Sequence, residues 1–104
     1  MFARNVSIHL KSNMLSDYTR TFENDTLPLL RQQKGFKDEI TLSNPGSLDV
    51  IAISLWDSKA NAETYNTNAY PEVLKTLAKT VDGTPRIQTF ETVVSTFHNV
   101  HTTA

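Results

Sequence analysis

Apolar and polar positions alternate over four stretches of this chain and recur at helical spacing over two others. From Phe2 to Lys11, Val6, Ile8 and Leu10 share one parity and Ala3, Asn5, Ser7 and His9 the other, which predicts a strand with an apolar and a polar face. Ser12 or Asn13 can cap the next segment, where Leu15, Tyr18, Phe22 and Leu29 repeat at helical spacing until Lys34-Gly35 stops it. Pro28 falls inside that helix and removes a backbone donor, so a kink or break is expected near Asn24 to Leu27. Phe36 to Ser43 is a second strand, and Asn44-Pro45-Gly46-Ser47 is a turn leading to a third that ends at Trp56, so the two should form a hairpin. Asp57 or Ser58 caps a short helix carrying Ala62 and Tyr65. Asn66-Thr67-Asn68 loosens it, and Tyr70-Pro71 restarts it with Leu74, Leu77, Ala78 and Val81 on one buried face. After Asp82-Gly83-Thr84-Pro85, the stretch from Arg86 to His98 reads as a long last strand, and the chain end from 99 to 104 as a frayed tail.

The order strand, helix, strand, strand, helix, strand is the ferredoxin-like split βαβ arrangement, an α+β fold with both helices on one face of a four-stranded antiparallel sheet. The opposite face is then bare. Taking Asn5 and Trp56 to share it, that face carries Ala3, Asn5, Ser7, His9, Val50, Ala52, Ser54 and Trp56, with Phe90, Thr92, Val94 and Thr96 or their complement from the last strand. Such a surface is too apolar for water and too polar for a dry core, so the pattern predicts a homodimer packed sheet against sheet around a cavity.

Composition narrows the classes without choosing among them. At 104 residues with no repeat, low-complexity segment or linker, the chain reads as one domain spanning 1–104. A net charge of −1 with mixed signs gives no field suited to nucleic acid or anionic lipid, and neither partner is indicated. The absence of cysteine rules out disulfides, thiolate metal sites and cysteine nucleophiles. The start Met1-Phe2-Ala3-Arg4-Asn5 lacks an apolar signal core and no run approaches membrane-spanning length, so a soluble, cytoplasmic protein is expected.

Trp56 is the single tryptophan, and it ends a row of mostly small residues, Val50, Ala52 and Ser54, opposite the larger Ile51, Ile53 and Leu55. An indole in that place either aims its N–H into a pocket or plugs the edge of the core. His98 and His101 form an H-x-x-H, but on a strand that spacing turns the rings to opposite faces and no third ligand is evident, so no metal site is expected. Gly35, Gly46 and Gly83 all fall at turns and build no phosphate loop or dinucleotide fingerprint.

The first strand Phe2-Ala3-Arg4-Asn5, the junction Leu55-Trp56-Asp57-Ser58-Lys59 and the restart Tyr70-Pro71-Glu72, in this element order, resemble the antibiotic biosynthesis monooxygenase family of the dimeric α+β barrel superfamily. The resemblance covers nearly the whole chain. It implies that two subunits form a barrel through their sheets and that each holds its own pocket between sheet and helices. Members include cofactor-independent oxygenases of polycyclic phenols and haem-degrading monooxygenases. Asn5 matches the first-strand asparagine and Trp56 the third-strand tryptophan of such oxygenases. The haem-degrading branch also uses a helix histidine as iron ligand, and from Lys59 to Val81 this chain has none. The implied reaction therefore needs no bound cofactor: a deprotonated, electron-rich aromatic gives an electron to molecular oxygen in an apolar slot, and the protein supplies donors to the developing oxyanion.

On this reading the Asn5 amide and Trp56 indole are the catalytic donors, His9 or His98 the base, and Tyr65, Tyr70, Ser54 and His98 contacts to the substrate, with a homodimer and a small aromatic molecule as partners. The competing function is a non-catalytic dimer of the same fold that binds or shields a small ligand. Asn5 also fits a strand-bridging role at a dimer face, and His9 and His98 also fit satisfied surface or interface histidines.

Overall fold

A computed structural model describes residues 1–97. Four strands, β1 (Phe2–His9), β2 (Phe36–Ser43), β3 (Asp49–Trp56) and β4 (Arg86–Glu91), form one antiparallel sheet in the order β2-β3-β1-β4. One face is covered by two helical arms. The first runs through α1 (Leu15–Thr21), a π-helical turn (Phe22–Thr26) and α2 (Leu27–Arg31); the second is α3 (Lys59–Asn68) followed by α4 (Tyr70–Leu77). This is the α+β, ferredoxin-like order read from the sequence.

The irregularity expected before Pro28 is the π-helical turn. Proline has no N–H and its ring crowds the carbonyl four residues back, and the wider turn accommodates both. Ser58, with an extended backbone, caps α3 by accepting a hydrogen bond from the Asn61 amide at 3.2 Å. Gly35 joins the first arm to β2 at φ +83, a left-handed conformation that costs glycine little. Its carbonyl accepts from the Asp57 amide at 2.8 Å, which ties the start of β2 to the start of the second arm.

Two sequence expectations change here. The last strand is shorter than Arg86 to His98: its ladder with β1 ends at Phe2 opposite Glu91, with one further backbone bond from the Thr92 amide to the Met1 carbonyl at 2.9 Å. The proposed tail at 99–104, His98 and His101 lie outside the described residues. The second change concerns faces. Phe2 lies opposite Trp56, Arg4 opposite Ser54 and Val6 opposite Ala52, so Val50, Ala52, Ser54 and Trp56 face the helices with Phe2, Arg4, Val6 and Ile8. Asn5 lies opposite Ile53, on the outer face. The larger row Ile51, Ile53 and Leu55 therefore looks outward, and the smaller row looks under the helices. Both rows of β3 are apolar enough for either side, so its alternation alone does not say which is inward.

The core beneath the arms joins Phe2, Val6 and Ile8 to Val50 and Trp56 on the sheet, Tyr18, Phe22 and Leu30 on the first arm, and Ala62, Tyr65, Val73 and Leu77 on the second. Trp56 is fully buried, with Tyr65 stacked at 5.0 Å between centroids and Phe36 edge-on at 5.6 Å. The uncovered face presents Ile40, Leu42, Ile51 and Phe90, all large and solvent-exposed.

Candidate functional site in the sheet–helix cavity

Small residues on the inner row leave space. Between the sheet and the two arms lies a cavity of about 260 Å³ whose wall is largely apolar, with Val6, Phe22, Ala52, Val73 and Leu77 among its lining and Gly83, Thr84 and Pro85 at its margin. Its polar lining comes from Arg4, Tyr18, Thr26, Glu39, Ser54, Tyr65 and Tyr70.

One rung of the sheet carries three of these groups. Glu39 on β2 is opposite Ser54 on β3, and Ser54 is opposite Arg4 on β1. Glu39 shares the inner face with Phe36, three residues earlier, because a bulge between Phe36 and Asp38 shifts the alternation by one. Trp56 lies two residues beyond Ser54, on the same face, and its Nε1–H donates to Ser54 Oγ at 2.9 Å. The serine hydroxyl therefore has an acceptor lone pair occupied and its own proton available to the cavity.

Arg4 is only 3 % exposed. Its Nη2 donates to Asn66 Oδ1 at 2.7 Å, and its guanidinium lies 4.0 Å from the Tyr70 ring centroid and 5.2 Å from that of Tyr65. Among the described residues no carboxylate pairs with it. Burial lowers the Arg4 pKa below its ordinary value, while Tyr65 and Tyr70 act in the opposite sense. Burial pushes Tyr65 up to about 12 against the pull of Arg4, and raises Tyr70 as well. A buried cation held by an amide, the Tyr70 side chain and two ring faces, without a carboxylate among the described residues, can offer its remaining donors to an anionic or strongly polarised oxygen.

Three further polar groups face the cavity from the β2 side and the first arm. Tyr18 is 1 % exposed and Thr26 2 % exposed, and neither side-chain oxygen has a hydrogen-bond partner. Burial raises the Tyr18 pKa far above its ordinary value, and the charge of Glu39 adds to it. Burial also raises Glu39, to about 6, although Thr41 Oγ1 donates to its Oε2 at 2.7 Å and favours the carboxylate.

The residues singled out from the sequence divide accordingly. Ser54, Tyr65 and Tyr70 line the cavity. Trp56 is behind its wall and acts on it through Ser54. Asn5 is on the opposite face of the sheet, so Asn5 and Trp56 do not converge on one ligand; the register Asn5↔Ile53 and Phe2↔Trp56 separates them. Asn5 Oδ1 is buried on that face without a hydrogen-bond partner. His9 is also on the outer face, exposed, with its Nδ1 2.9 Å from Asp49 Oδ1, and contributes nothing to this cavity. His98 lies outside the described residues. Arg4, Glu39, Tyr18 and Thr26 were not among the sequence candidates. An arginine on the parity of Val6 and Ile8, with no acidic neighbour in its strand, is the signal that could have found the first of them. Among the described residues no group of three or more histidine, cysteine, aspartate or glutamate side chains is placed to hold a metal ion, and no helix is long and apolar enough to cross a membrane.

No family model matches the sequence, and no curated protein matches it. Solved structures do match its backbone. SnoaB, a cofactor-independent oxygenase from Streptomyces nogalater, superposes with a TM-score of 0.76 at 11% identity, covering 91% of this chain and 95% of that one. A monooxygenase from the gene ActVA-Orf6 of Streptomyces coelicolor, solved with the ligand nanaomycin D, gives 0.77 at 12% identity, covering 90% of this chain and 88% of that one. A protein of unknown function from Nitrosomonas europaea gives 0.74 at 16% identity, covering 90% of each chain. What is shared at these identities is the architecture: this chain has the fold of the antibiotic biosynthesis monooxygenases.

Proposed function

We propose that the chain is a small monooxygenase that oxidises an aromatic, polyketide-like substrate with molecular oxygen inside the sheet–helix cavity, without a bound cofactor. The observation that carries this reading is Arg4, a buried guanidinium without a carboxylate partner among the described residues, set in a cavity whose wall is largely apolar and aromatic. The fold shared with named oxygenases supports it.

An electron-rich fused aromatic fits between the apolar wall and the tyrosine rings. Arg4 holds an oxygen on which negative charge grows as the substrate is deprotonated, with the Ser54 hydroxyl as a second donor oriented by Trp56. Such an anion gives one electron to oxygen, the resulting radicals combine at a ring carbon, and loss of water leaves a carbonyl. A CH₂ group and O₂ become C=O and H₂O, with no external reductant. Tyr65 and Tyr70 flank Arg4 and orient the ring system. The protein works as a homodimer through the outer sheet face, where Asn5 and His9 belong to the interface and not to the chemistry.

Oxygen uptake by the purified protein with anthrones and naphthols, with no metal, flavin or haem added, tests this. Uptake with one oxygen atom recovered in the product supports the reading. Binding that quenches Trp56 fluorescence without uptake across a broad phenol panel assigns the cavity to ligand binding alone.

A further inference from the structure

Arg4 accounts for one side of the cavity and leaves the other unexplained. Arg4 is held by the second arm, through Asn66, Tyr65 and Tyr70. Across the same rung, on β2, stands Glu39, and the first arm contributes Tyr18 and Thr26, two hydroxyls buried to 99 and 98 % of their residue surface with no partner (1 % and 2 % exposed). Leaving buried hydroxyls unsatisfied in an empty apolar space is unfavourable, and a native fold retains such groups where a ligand or water completes them. Hydroxyls beside a carboxylate match a ligand that offers both a proton and oxygen lone pairs. An unsubstituted hydrocarbon edge satisfies none of them.

The sheet supplies a ruler between the two sides. Adjacent strands lie about 4.8 Å apart, and Glu39 and Arg4 are separated by the one strand that carries Ser54, so their Cα atoms stand roughly 10 Å apart. That is close to the length of two fused six-membered rings with an oxygen substituent at each end.

We propose that this cavity takes a fused aromatic bearing oxygen at both ends, with a carbonyl or anionic oxygen on Arg4 and a hydroxyl on the β2 side, whose proton passes to Glu39. The O–H bond breaks, a Glu39 carboxylate oxygen gains the proton, and the electron pair stays on the substrate oxygen, from which it delocalises through the rings toward Arg4. Tyr18 and Thr26 donate to oxygen substituents on the β2 side. The inference rests on the cavity being a substrate site and names the substrate's two-ended oxygenation. It is independent of whether oxygen chemistry follows.

Binding therefore tests it without turnover. The probes are 6-hydroxy-2-naphthoate, which has a hydroxyl and a carboxylate at opposite ends, 2-naphthoate, which lacks the hydroxyl, and 6-methoxy-2-naphthoate, which cannot donate a proton; affinities are read by equilibrium dialysis at pH 8. Wild type should bind the hydroxy acid about tenfold or more tightly than either analogue. Glu39→Gln should lose most of that preference while binding 2-naphthoate as wild type does, and Tyr18→Phe should weaken the hydroxy acid selectively by a few fold. Arg4→Met should weaken all three probes together. Equal binding of the three probes by wild type overturns the proposal, as does a preference that survives intact in both Glu39→Gln and Tyr18→Phe. A preserved pattern of preference without any oxygen uptake leaves this inference standing and removes the oxygenase reading instead.

Discussion

Glu39, proposed above to take the substrate's proton, carries an energetic cost in the folded chain. A half-buried carboxyl is harder to ionise than a free one, and burial raises Glu39, on the edge strand β2, from 4.5 to about 6. Its folded value lies above its unfolded one, so the folded state holds the proton more tightly. The associated stability is complete below about pH 4.5 and is lost as pH rises through about 6. Glu39→Gln stays neutral throughout, so it should exceed wild type in stability by about 1 kcal/mol near pH 8, allowing for solvent screening, and gain nothing near pH 4. Denaturant melts at the two pH values measure this directly. Turnover should behave in the opposite sense: wild-type rate falls below about pH 6 as the base is protonated, and the variant is slow at every pH. A variant no more stable at pH 8 would show that Glu39 carries no burial cost. Sequence pattern hides this residue, because Ile40 and Leu42 alternate with Glu39 and Thr41 and ordinary patterning puts the isoleucine and leucine inside. The fold does the reverse, since β2 contributes its apolar row to the outer face.

Among the elements, the arms were legible and the faces were not. The π-helical turn follows from Pro28 inside a helical repeat, and the Ser58 cap and the hairpin at Asn44 to Ser47 follow from residue types with one strong local preference. The orientation of β3 has no such local cause. Both its rows are apolar, and only pairing with β1 decides that Trp56 looks under the helices while Asn5 looks away. That register places the expected donors Asn5 and Trp56 on opposite faces of the sheet. The junction at Gly35 yields an element-scale prediction. A Cβ there would collide with Asp57 Oδ1 and the Asn61 side chain, two groups that hydrogen-bond each other at 2.8 Å at the start of α3. Gly35→Ala should cost roughly 2–4 kcal/mol, the strain of a positive φ plus displacement of that pair. Gly46 has φ +80 with nothing within 4 Å of an added Cβ, so Gly46→Ala should cost only about 1 kcal/mol. Thermal unfolding of the two variants separates clash from backbone strain; equal losses would mean that the junction yields freely.

For the whole molecule, the outer sheet face is the main unbalanced feature. Ile40 is 51 % exposed and Phe90 52 %, on the same face as Leu42 and Ile51, and buried Asn5 Oδ1 lacks a partner there. A second copy of the chain placed against this face would bury on the order of 1,600 Å² in total and explain all of these groups. Sedimentation should give a dimer at micromolar concentration, and Phe90→Arg should yield a folded monomer; a wild-type monomer would contradict the assembly while leaving the cavity intact. That the sheet has a second, partly apolar face was readable from alternation, although its residues were misassigned on β3. The cavity was readable only in part: Ser54, Tyr65 and Tyr70 were candidates, whereas Arg4 and Glu39 come together only through strand order. If a buried Arg4 without a carboxylate partner among the described residues makes this space a site for oxidising a phenolic aromatic, oxygen uptake with an anthrone must differ between wild type and Arg4→Met. Cofactor-free uptake by wild type is predicted, slowed about 10²- to 10³-fold in a folded Arg4→Met protein; equal uptake by the two folded proteins would contradict this role of Arg4.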